Sequence, residues 1–122
     1  MPFYESDSFE PPATVARAFV RGPNSHVYRD LPLLIDTGAD ASVIPRFVAE
    51  AVGADIRSSD ITLRFYDGTE MRSEVAEMEV EFLRYRFRGP FLVGDATYGI
   101  LGRNTLNLLV LTHDGPSLVW TA

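Results

Sequence analysis

Apolar side chains in this 122-residue chain occur in short runs, and each run is stopped by a turn signal. Turns are indicated at residues 22–24 (Gly-Pro-Asn), 67–68 (Asp-Gly), 94–97 (Gly-Asp-Ala-Thr) and 113–116 (His-Asp-Gly-Pro). Several runs alternate apolar with polar residues, as half-buried strands do. Short helices are indicated at about 46–52, before Gly53, and at about 103–108. The pattern therefore predicts an all-β fold, a closed or nearly closed barrel with one or two short helices.

The segment 61–75 predicts a β-hairpin, because apolar residues alternate on both sides of an Asp-Gly pair. A two-residue turn at 67–68 would oppose Phe65 to Glu70. A three-residue loop at 66–68, with Gly68 in the left-handed bulge position, instead opposes Leu63 to Met71 and Arg64 to Glu70. We predict the second register. A bulge or bend is expected between residues 75 and 76, where the apolar phase shifts.

Glutamates and then arginines alternate with apolar residues over 76–88. Folding the two runs against each other pairs Glu77, Glu79 and Glu81 with Arg88, Arg86 and Arg84, respectively. Each ion pair of this kind is worth roughly 0.2–1 kcal/mol. The facing acids neutralise the arginines, and the whole chain has a formal net charge of -6. Nucleic acid is therefore not an expected partner.

Length and composition are those of one compact globular domain, with 46% hydrophobic and 23% charged residues. We expect a flexible N-terminal arm at 1–12 and the folded domain at 13–122. The absence of cysteine excludes disulfides and thiolate chemistry. The first residues carry acids where a signal peptide has basic residues, and no apolar run approaches membrane-spanning length. We therefore expect a cytoplasmic protein without a membrane partner.

One apolar run, 33–35, leads straight into Asp36-Thr37-Gly38. A carboxylate at the end of a buried strand, beside a hydroxyl and a glycine amide, can be oriented and kept partly dry. Those are the conditions for acid–base catalysis. The alternative is that Asp36 is a structural residue of a strand-end turn.

A hydrolytic triad of Asp40, Ser42 and His113 is disfavoured on the sequence alone. Ser42 lacks the strand–turn–helix context of a nucleophilic serine, and His113 stands in a turn signal.

Two motifs in the chain resemble the signatures of retropepsin-like aspartic proteases, the single-lobe, retroviral-type family. They are residues 34–44 (Leu-Ile-Asp-Thr-Gly-Ala-Asp-Ala-Ser-Val-Ile) and residues 100–104 (Ile-Leu-Gly-Arg-Asn). Between them lie a hairpin where the family has its flap and a strand at 91–94 that leads to a substrate loop. The resemblance covers roughly 13–120 and implies a closed acid-protease barrel. The hairpin tip has one glycine where viral members are glycine-rich, so a bacterial or cellular member is expected.

The resemblance also implies roles for individual residues. It makes Asp36 the catalytic acid and base, Thr37 a hydrogen-bonding grip across a twofold axis, and Gly38 a point of close backbone approach. Substrate binding is assigned to Ala39, Asp40, Tyr66, Asp67 and Gly68. Arg103 would pair with Asp40 and support the site from beneath. No metal or cofactor is implied.

Aspartic proteolysis needs two carboxylates that share a proton, yet Asp-Thr-Gly occurs once in the chain. A twofold axis beside Asp36 would supply the second carboxylate from an identical chain. The predicted function is a homodimeric aspartic endopeptidase that cleaves a peptide or protein substrate, best at acid to mildly acid pH. The alternative is a catalytically silent retropepsin-fold module for dimerisation or peptide binding.

Overall fold

The computed structural model describes residues 3–23, 28–64 and 68–122. Within these ranges the strands are β1 (Tyr4–Glu5), β2 (Ala13–Arg21), β3 (Tyr28–Ile35), β4 (Val43–Pro45), β5 (Arg57–Arg64), β6 (Glu70–Phe82), β7 (Tyr85–Gly94), β8 (Gly99–Leu101), β9 (Thr112–Asp114) and β10 (Val119–Thr121). The helices are α1 (Arg46–Ala51) and α2 (Arg103–Leu106). No helix in the described ranges is long and apolar enough to cross a membrane.

The main sheet closes on itself. Its strand order is β1-β2-β3-β8-β4-β7-β6-β5, and an additional antiparallel pairing joins residues 19–21 of β2 to residues 79–81 of β6. Six strands, from β2 round to β6, thereby form a barrel, while β1 and β5 extend it and β9 and β10 form a separate hairpin. The predicted fold class, a closed all-β barrel with short helices, is confirmed.

The barrel interior is filled by one set of alternate residues on each strand, as the two-residue side-chain period requires. Its fully buried members include Val20 on β2, Leu33 on β3 and Val80 on β6. Trp120 on β10 is also fully buried, and its indole N–H donates to the carbonyl of Val15 at 3.2 Å. The C-terminal hairpin is thus fixed to the barrel by one large apolar side chain whose polar atom is satisfied.

Helix α1 ends as the sequence predicted, at a glycine. Gly53 has φ +74°, its N–H donates to Glu50 O at 3.1 Å, and the Ala54 N–H donates to Ala49 O at 2.9 Å. This pair of bonds satisfies two terminal carbonyls of the helix and requires the left-handed conformation that glycine adopts without strain.

The β5–β6 hairpin has the predicted register, with Leu63 opposite Met71 and Arg64 opposite Glu70. Gly68 has φ +86°, as its predicted position in the loop requires. Tyr66 and Asp67 lie outside the described residues. Of the bulge or bend expected between residues 75 and 76, the bulge was wrong, because β6 pairs with β7 without interruption there. The irregularity lies in β5, between Ser58 and Thr62.

The glutamate–arginine ladder forms between β6 and β7, but its predicted register was wrong by two residues. Glu81 lies opposite Arg86, Glu79 opposite Arg88, and Glu77 opposite Pro90. The turn occupies residues 83–84, so that Phe82 stays in the strand, 2% exposed, opposite Tyr85. A two-residue shift keeps every side chain on its predicted face, and burying Phe82 decides between the two registers.

Strand β3 continues without a break through Pro32. Because β8 pairs with β3 only from Leu33 onward, the N–H that Pro32 lacks is not needed for the β3–β8 pairing. Strand β9 of the C-terminal hairpin begins at Thr112. Residues 4 and 5, within the segment expected to be an arm, pair with the start of β2.

Candidate active site

Asp36 lies at the carboxyl end of β3, where the chain leaves the barrel. Its N–H donates to the carbonyl of Leu101 at 3.0 Å, which extends the parallel β3–β8 pairing by one bond. Its Oδ1 accepts the N–H of Gly38 at 2.9 Å, and its carbonyl accepts the N–H of Ala39 at 3.2 Å. The half-exposed carboxylate is therefore held in one orientation with its other oxygen free to act.

Gly38 lets the turn approach the carboxylate. A Cβ at this position would lie 3.2 Å from Asp36 Oδ1, closer than most side-chain contacts. Thr37 and Gly38 are both exposed. The turn therefore presents its backbone to the surrounding solution next to Asp36.

The second motif lies directly beneath the first. The Arg103 N–H donates to Ala39 O at 2.8 Å and the Asn104 N–H donates to Asp40 O at 3.2 Å. A Cβ on Gly102 would lie 2.5 Å from the carbonyl carbon and oxygen of Ala41, so only glycine fits between the two segments. The two motifs, some sixty residues apart in sequence, thus form one interlocked unit.

Arg103 clamps the Asp-Thr-Gly turn from below. One guanidinium nitrogen donates to Thr37 O at 2.8 Å and the other forms an ion pair with the Asp40 carboxylate. The planar guanidinium makes both contacts at once, which an ammonium group could not do with the same geometry. Asp40, although 88% exposed in its side chain, is thereby occupied by a cation.

Ser42 is a site residue whose position sequence reasoning missed. Its side chain is buried, and its hydroxyl oxygen accepts the N–H of Gly102 at 3.0 Å while lying 2.9 Å from Asn104 Oδ1 and 3.0 Å from Thr105 Oγ1. Its own N–H donates to Asn104 Oδ1 at 3.0 Å. The one available signal was the presence of a serine and an asparagine within the two motifs.

The structure does not assemble the disfavoured triad. Ser42 is committed to the network just described and Asp40 to Arg103. His113 lies elsewhere, with its Nδ1 3.1 Å from the hydroxyl of Thr14. These three residues therefore make no catalytic arrangement with one another.

Arg46 fastens the loop that follows β7 to the rest of the barrel. It forms an ion pair with Glu74 on β6, and its Nε donates to Asp95 Oδ1 at 3.1 Å. The hydrogen bond that Arg46 donates to Glu74, and then the one that it donates to Asp95, raise the pKa of Arg46 above its already high usual value. The guanidinium stays charged, so this loop is anchored at any pH at which the two carboxylates are ionised.

The comparisons with known proteins agree with this geometry. An aspartyl protease family model matches residues 20–105, which include both motifs. The chain belongs to the aspartyl protease family. Its fold is similar to that of EIAV protease solved in complex with the inhibitor HBY-793, with a TM-score of 0.62 and 18% sequence identity over 78% of this chain and 86% of that chain. This aspartyl protease domain therefore has the retropepsin-like fold. No curated protein matches its sequence significantly.

Proposed function

We propose that this aspartyl protease domain works as a homodimeric endopeptidase in which the Asp36 carboxylates of two chains activate one water molecule. The observation that carries the proposal is the state of Asp36: it ends an apolar strand, is oriented by the Gly38 amide at 2.9 Å, and remains half-exposed. A purely structural aspartate in a turn would not need an interlocked second motif beneath it.

Among the residues that the structure describes, a single chain offers only one free carboxylate at this place. The neighbouring Asp40 is paired with Arg103, so it is not available as an acid or base. The exposed Thr37 and Gly38 leave room for an identical turn to approach. A twofold axis beside this turn would set the two Asp36 side chains together, which is why we propose a dimer as the active form.

The reaction then follows from two carboxylates that share one proton. The ionised Asp36 takes a proton from water as the water oxygen attacks the peptide carbonyl carbon, while the protonated Asp36 gives its proton to the carbonyl oxygen. In the second step, proton transfer to the amide nitrogen lets the C–N bond break. The pair needs one acid and one base, so activity falls at low pH, where both are protonated, and at high pH, where both are ionised.

Substrate would lie over the turn. We assign main-chain binding to Ala39 and Asp40 beside the dyad, and covering of the substrate to the hairpin that carries Tyr66, Asp67 and Gly68. Arg103 is a positioning residue, because it holds Thr37 and Asp40 rather than the substrate. The cytoplasmic location and the flexibility of the 1–12 arm stay predictions.

The test compares the wild type with Asp36→Asn on an unfolded protein or peptide library between about pH 4 and 7, the range expected for a carboxylate dyad. Asp55→Asn, a change at an exposed loop aspartate, is the matched control. We expect Asp36→Asn to abolish cleavage and the control to keep it. Equal residual cleavage in the wild type and Asp36→Asn would rule out the peptidase.

The dimer is tested separately with two copies joined in tandem. One wild-type copy linked to one Asp36→Asn copy has a single carboxylate per site, so it should be as inactive as the double variant. Half of the wild-type rate would show that one carboxylate suffices. If the dimer is stable but neither the wild type nor Asp36→Asn cleaves any substrate, the peptide-binding module is favoured instead.

A further inference from the structure

We infer that the outer face of strands β2, β6 and β7 is a docking surface for a short acidic segment of a partner protein. This arginine patch consists of Arg21, Arg86, Arg88 and the neighbouring Phe19. The inference goes beyond the proposed peptidase and does not depend on it.

Strand parity places the patch on the outside of the barrel. Val20 on β2 and Val80 on β6 are register partners and are fully buried, so the residues next to them in each strand point outward. Outward residues of β6 therefore lie between those of β2 and those of β7. The two rows across the three strands are Phe19–Glu81–Arg86 and Arg21–Glu79–Arg88.

The carboxylates of the patch are covered, whereas its guanidinium groups are exposed. Glu79, whose side chain is 10% exposed, has three guanidinium neighbours. Their nitrogens lie 3.3 Å (Arg88), 3.4 Å (Arg86) and 4.0 Å (Arg21) from its carboxylate. The side chains of Arg86 and Arg88 are 59% and 79% exposed. Since three arginines surround only Glu79 and Glu81, the charge that a partner meets is positive.

The exposed arginines also have more hydrogen-bond donors than the glutamates can accept. Each guanidinium has five N–H donors, whereas each carboxylate has about four acceptor sites. Arg86 and Arg88 share their two glutamates with Arg21, so they retain donors for a carboxylate from outside. A planar guanidinium binds such a carboxylate through two parallel hydrogen bonds.

The surroundings of the patch favour a short acidic segment over a long polyanion. On β3 the register partner of Phe19 is Asp30, which is already paired with Arg17, and on β6 the next outward residue is the exposed Glu77. A nucleic acid would extend beyond the patch over a chain of formal net charge -6. Phe19 is 46% exposed beside the cations, so the segment should carry an apolar side chain among its carboxylates.

The patch lies far from the candidate active site. Asp30, opposite Phe19, precedes Asp36 by six residues on β3. At about 3.3 Å per residue, this separation is about 20 Å along the strand. A partner bound to the patch therefore leaves the Asp-Thr-Gly turn uncovered.

The experiment titrates the protein with an acidic peptide and follows its backbone amide NMR shifts at low ionic strength. In the probe, glutamates alternate with serines around a central phenylalanine, and a matched neutral peptide has glutamine in place of each glutamate. The Asp36→Asn background prevents cleavage of the probe. We expect shifts in β2, β6 and β7 that weaken as salt is added, and none with the neutral peptide. Equal shifts with both peptides, or shifts centred elsewhere, overturn the inference.

Two charge-matched double variants test the arginines. Arg86→Gln with Arg88→Gln should raise the Kd of the probe by roughly two- to thirtyfold, the worth of two exposed charge contacts. The control, Arg57→Gln with Arg72→Gln, removes two exposed arginines elsewhere and should leave the Kd unchanged. Fluorescence of the buried Trp120 checks that each variant is folded. An equal change in Kd for the two double variants overturns the inference.

The variant Phe19→Ala tests the patch while all its ion pairs stay in place. It should raise the Kd of the probe by roughly two- to tenfold, the worth of one aromatic contact. A second probe, with alanine in place of the phenylalanine, should bind both forms equally. The same loss of affinity for the two probes, or no loss for either, contradicts the proposed docking.

A single-stranded oligonucleotide and a second copy of the chain are the competing occupants. Tighter binding of the oligonucleotide than of the probe, lost in the variant that lacks Arg86 and Arg88, would assign the patch to nucleic acid and overturn the inference. Self-association that is lost in that same variant, measured by sedimentation, would assign the patch to a second copy and overturn it equally. Neither result bears on cleavage by Asp36.

Discussion

Replacing Ser42 by alanine tests whether the buried network holds the two motifs together. The change removes the acceptor of the Gly102 N–H and the hydroxyl's hydrogen bonds with Asn104 Oδ1 and Thr105, while Asn104 Oδ1 keeps the Ser42 N–H. A buried donor left without an acceptor costs about 1–3 kcal/mol, and the lost hydroxyl pair adds about 1 kcal/mol. We therefore expect Ser42→Ala to lower the free energy of unfolding by about 2–4 kcal/mol, a large part of a typical domain stability.

The matched control is Ser73→Ala, which changes a serine that is equally enclosed but less connected. Ser73 is 3% exposed, and its hydroxyl makes one bond, to the carbonyl of Ile61 at 2.8 Å. Ile61 is 55% exposed in β5, so water can replace that donor. We expect a loss of about 1 kcal/mol.

Urea unfolding measures both variants through the fluorescence of Trp120, the single tryptophan, which is fully buried in the native barrel. A fixed protein concentration keeps any association equal among the samples. The midpoint should fall further for Ser42→Ala than for Ser73→Ala, at an unchanged slope. Equal midpoints for the two variants would refute the argument that three shared contacts make Ser42 the anchor of the site.

The remaining predictions concern three positions. Gly102→Ala should destabilise the chain by about 3 kcal/mol or more in thermal unfolding, because the new Cβ would lie 2.5 Å from the backbone of Ala41. The control Gly115→Ala, whose Cβ would lie in open space, should change thermal stability by less than about 1 kcal/mol. The hydrogen bond to Glu74 raises the pKa of Arg46, so the stabilisation persists up to the usual arginine value wherever Glu74 and Asp95 are ionised. The stability difference between the wild type and Arg46→Met should therefore be equal at about pH 7 and 10. Arg103→Lys should reduce kcat with less than about 1 kcal/mol lost in urea unfolding, because the side chain is 44% exposed yet holds the catalytic turn through two contacts. Unchanged kcat would show that this clamp does not position the turn.

Much of the barrel could be predicted from local signals. Backbone geometry favours glycine both where α1 ends and at Gly68, because both positions have a left-handed φ. The first glycine marks the end of the helix, and the second marks the hairpin register. Alternation gave the correct face for the β6 and β7 side chains even where the register was wrong. Parity is a local property, so a sequence without any alignment still carries it.

The β6–β7 register needed information that is not local. A turn at residues 82–83 gives three glutamate–arginine pairs, whereas the observed turn at 83–84 gives two, Glu81–Arg86 and Glu79–Arg88. Counting charge pairs therefore favours the wrong register. The choice falls to Phe82, which is buried among aromatic rings at 5.8 Å from Phe87 and 6.0 Å from Tyr85. Burial of one aromatic side chain outweighs an exposed ion pair by more than about 1 kcal/mol.

The same reasoning explains which contacts of the candidate site could be predicted from the sequence. Asp36 and Gly38 act through bonds within one short turn, so their spacing alone suggests their chemistry. Ser42 acts through Asn104, 62 residues away, and serine is too common a residue to predict such a partner. Because the N–H of Asn104 also donates to Asp40 O, the rigidity of the turn that follows Asp36 depends on tertiary structure even though its position in the sequence does not. A substitution at Ser42 should therefore affect orientation and stability together, while a substitution at Asp36 should remove the chemistry and leave the fold intact.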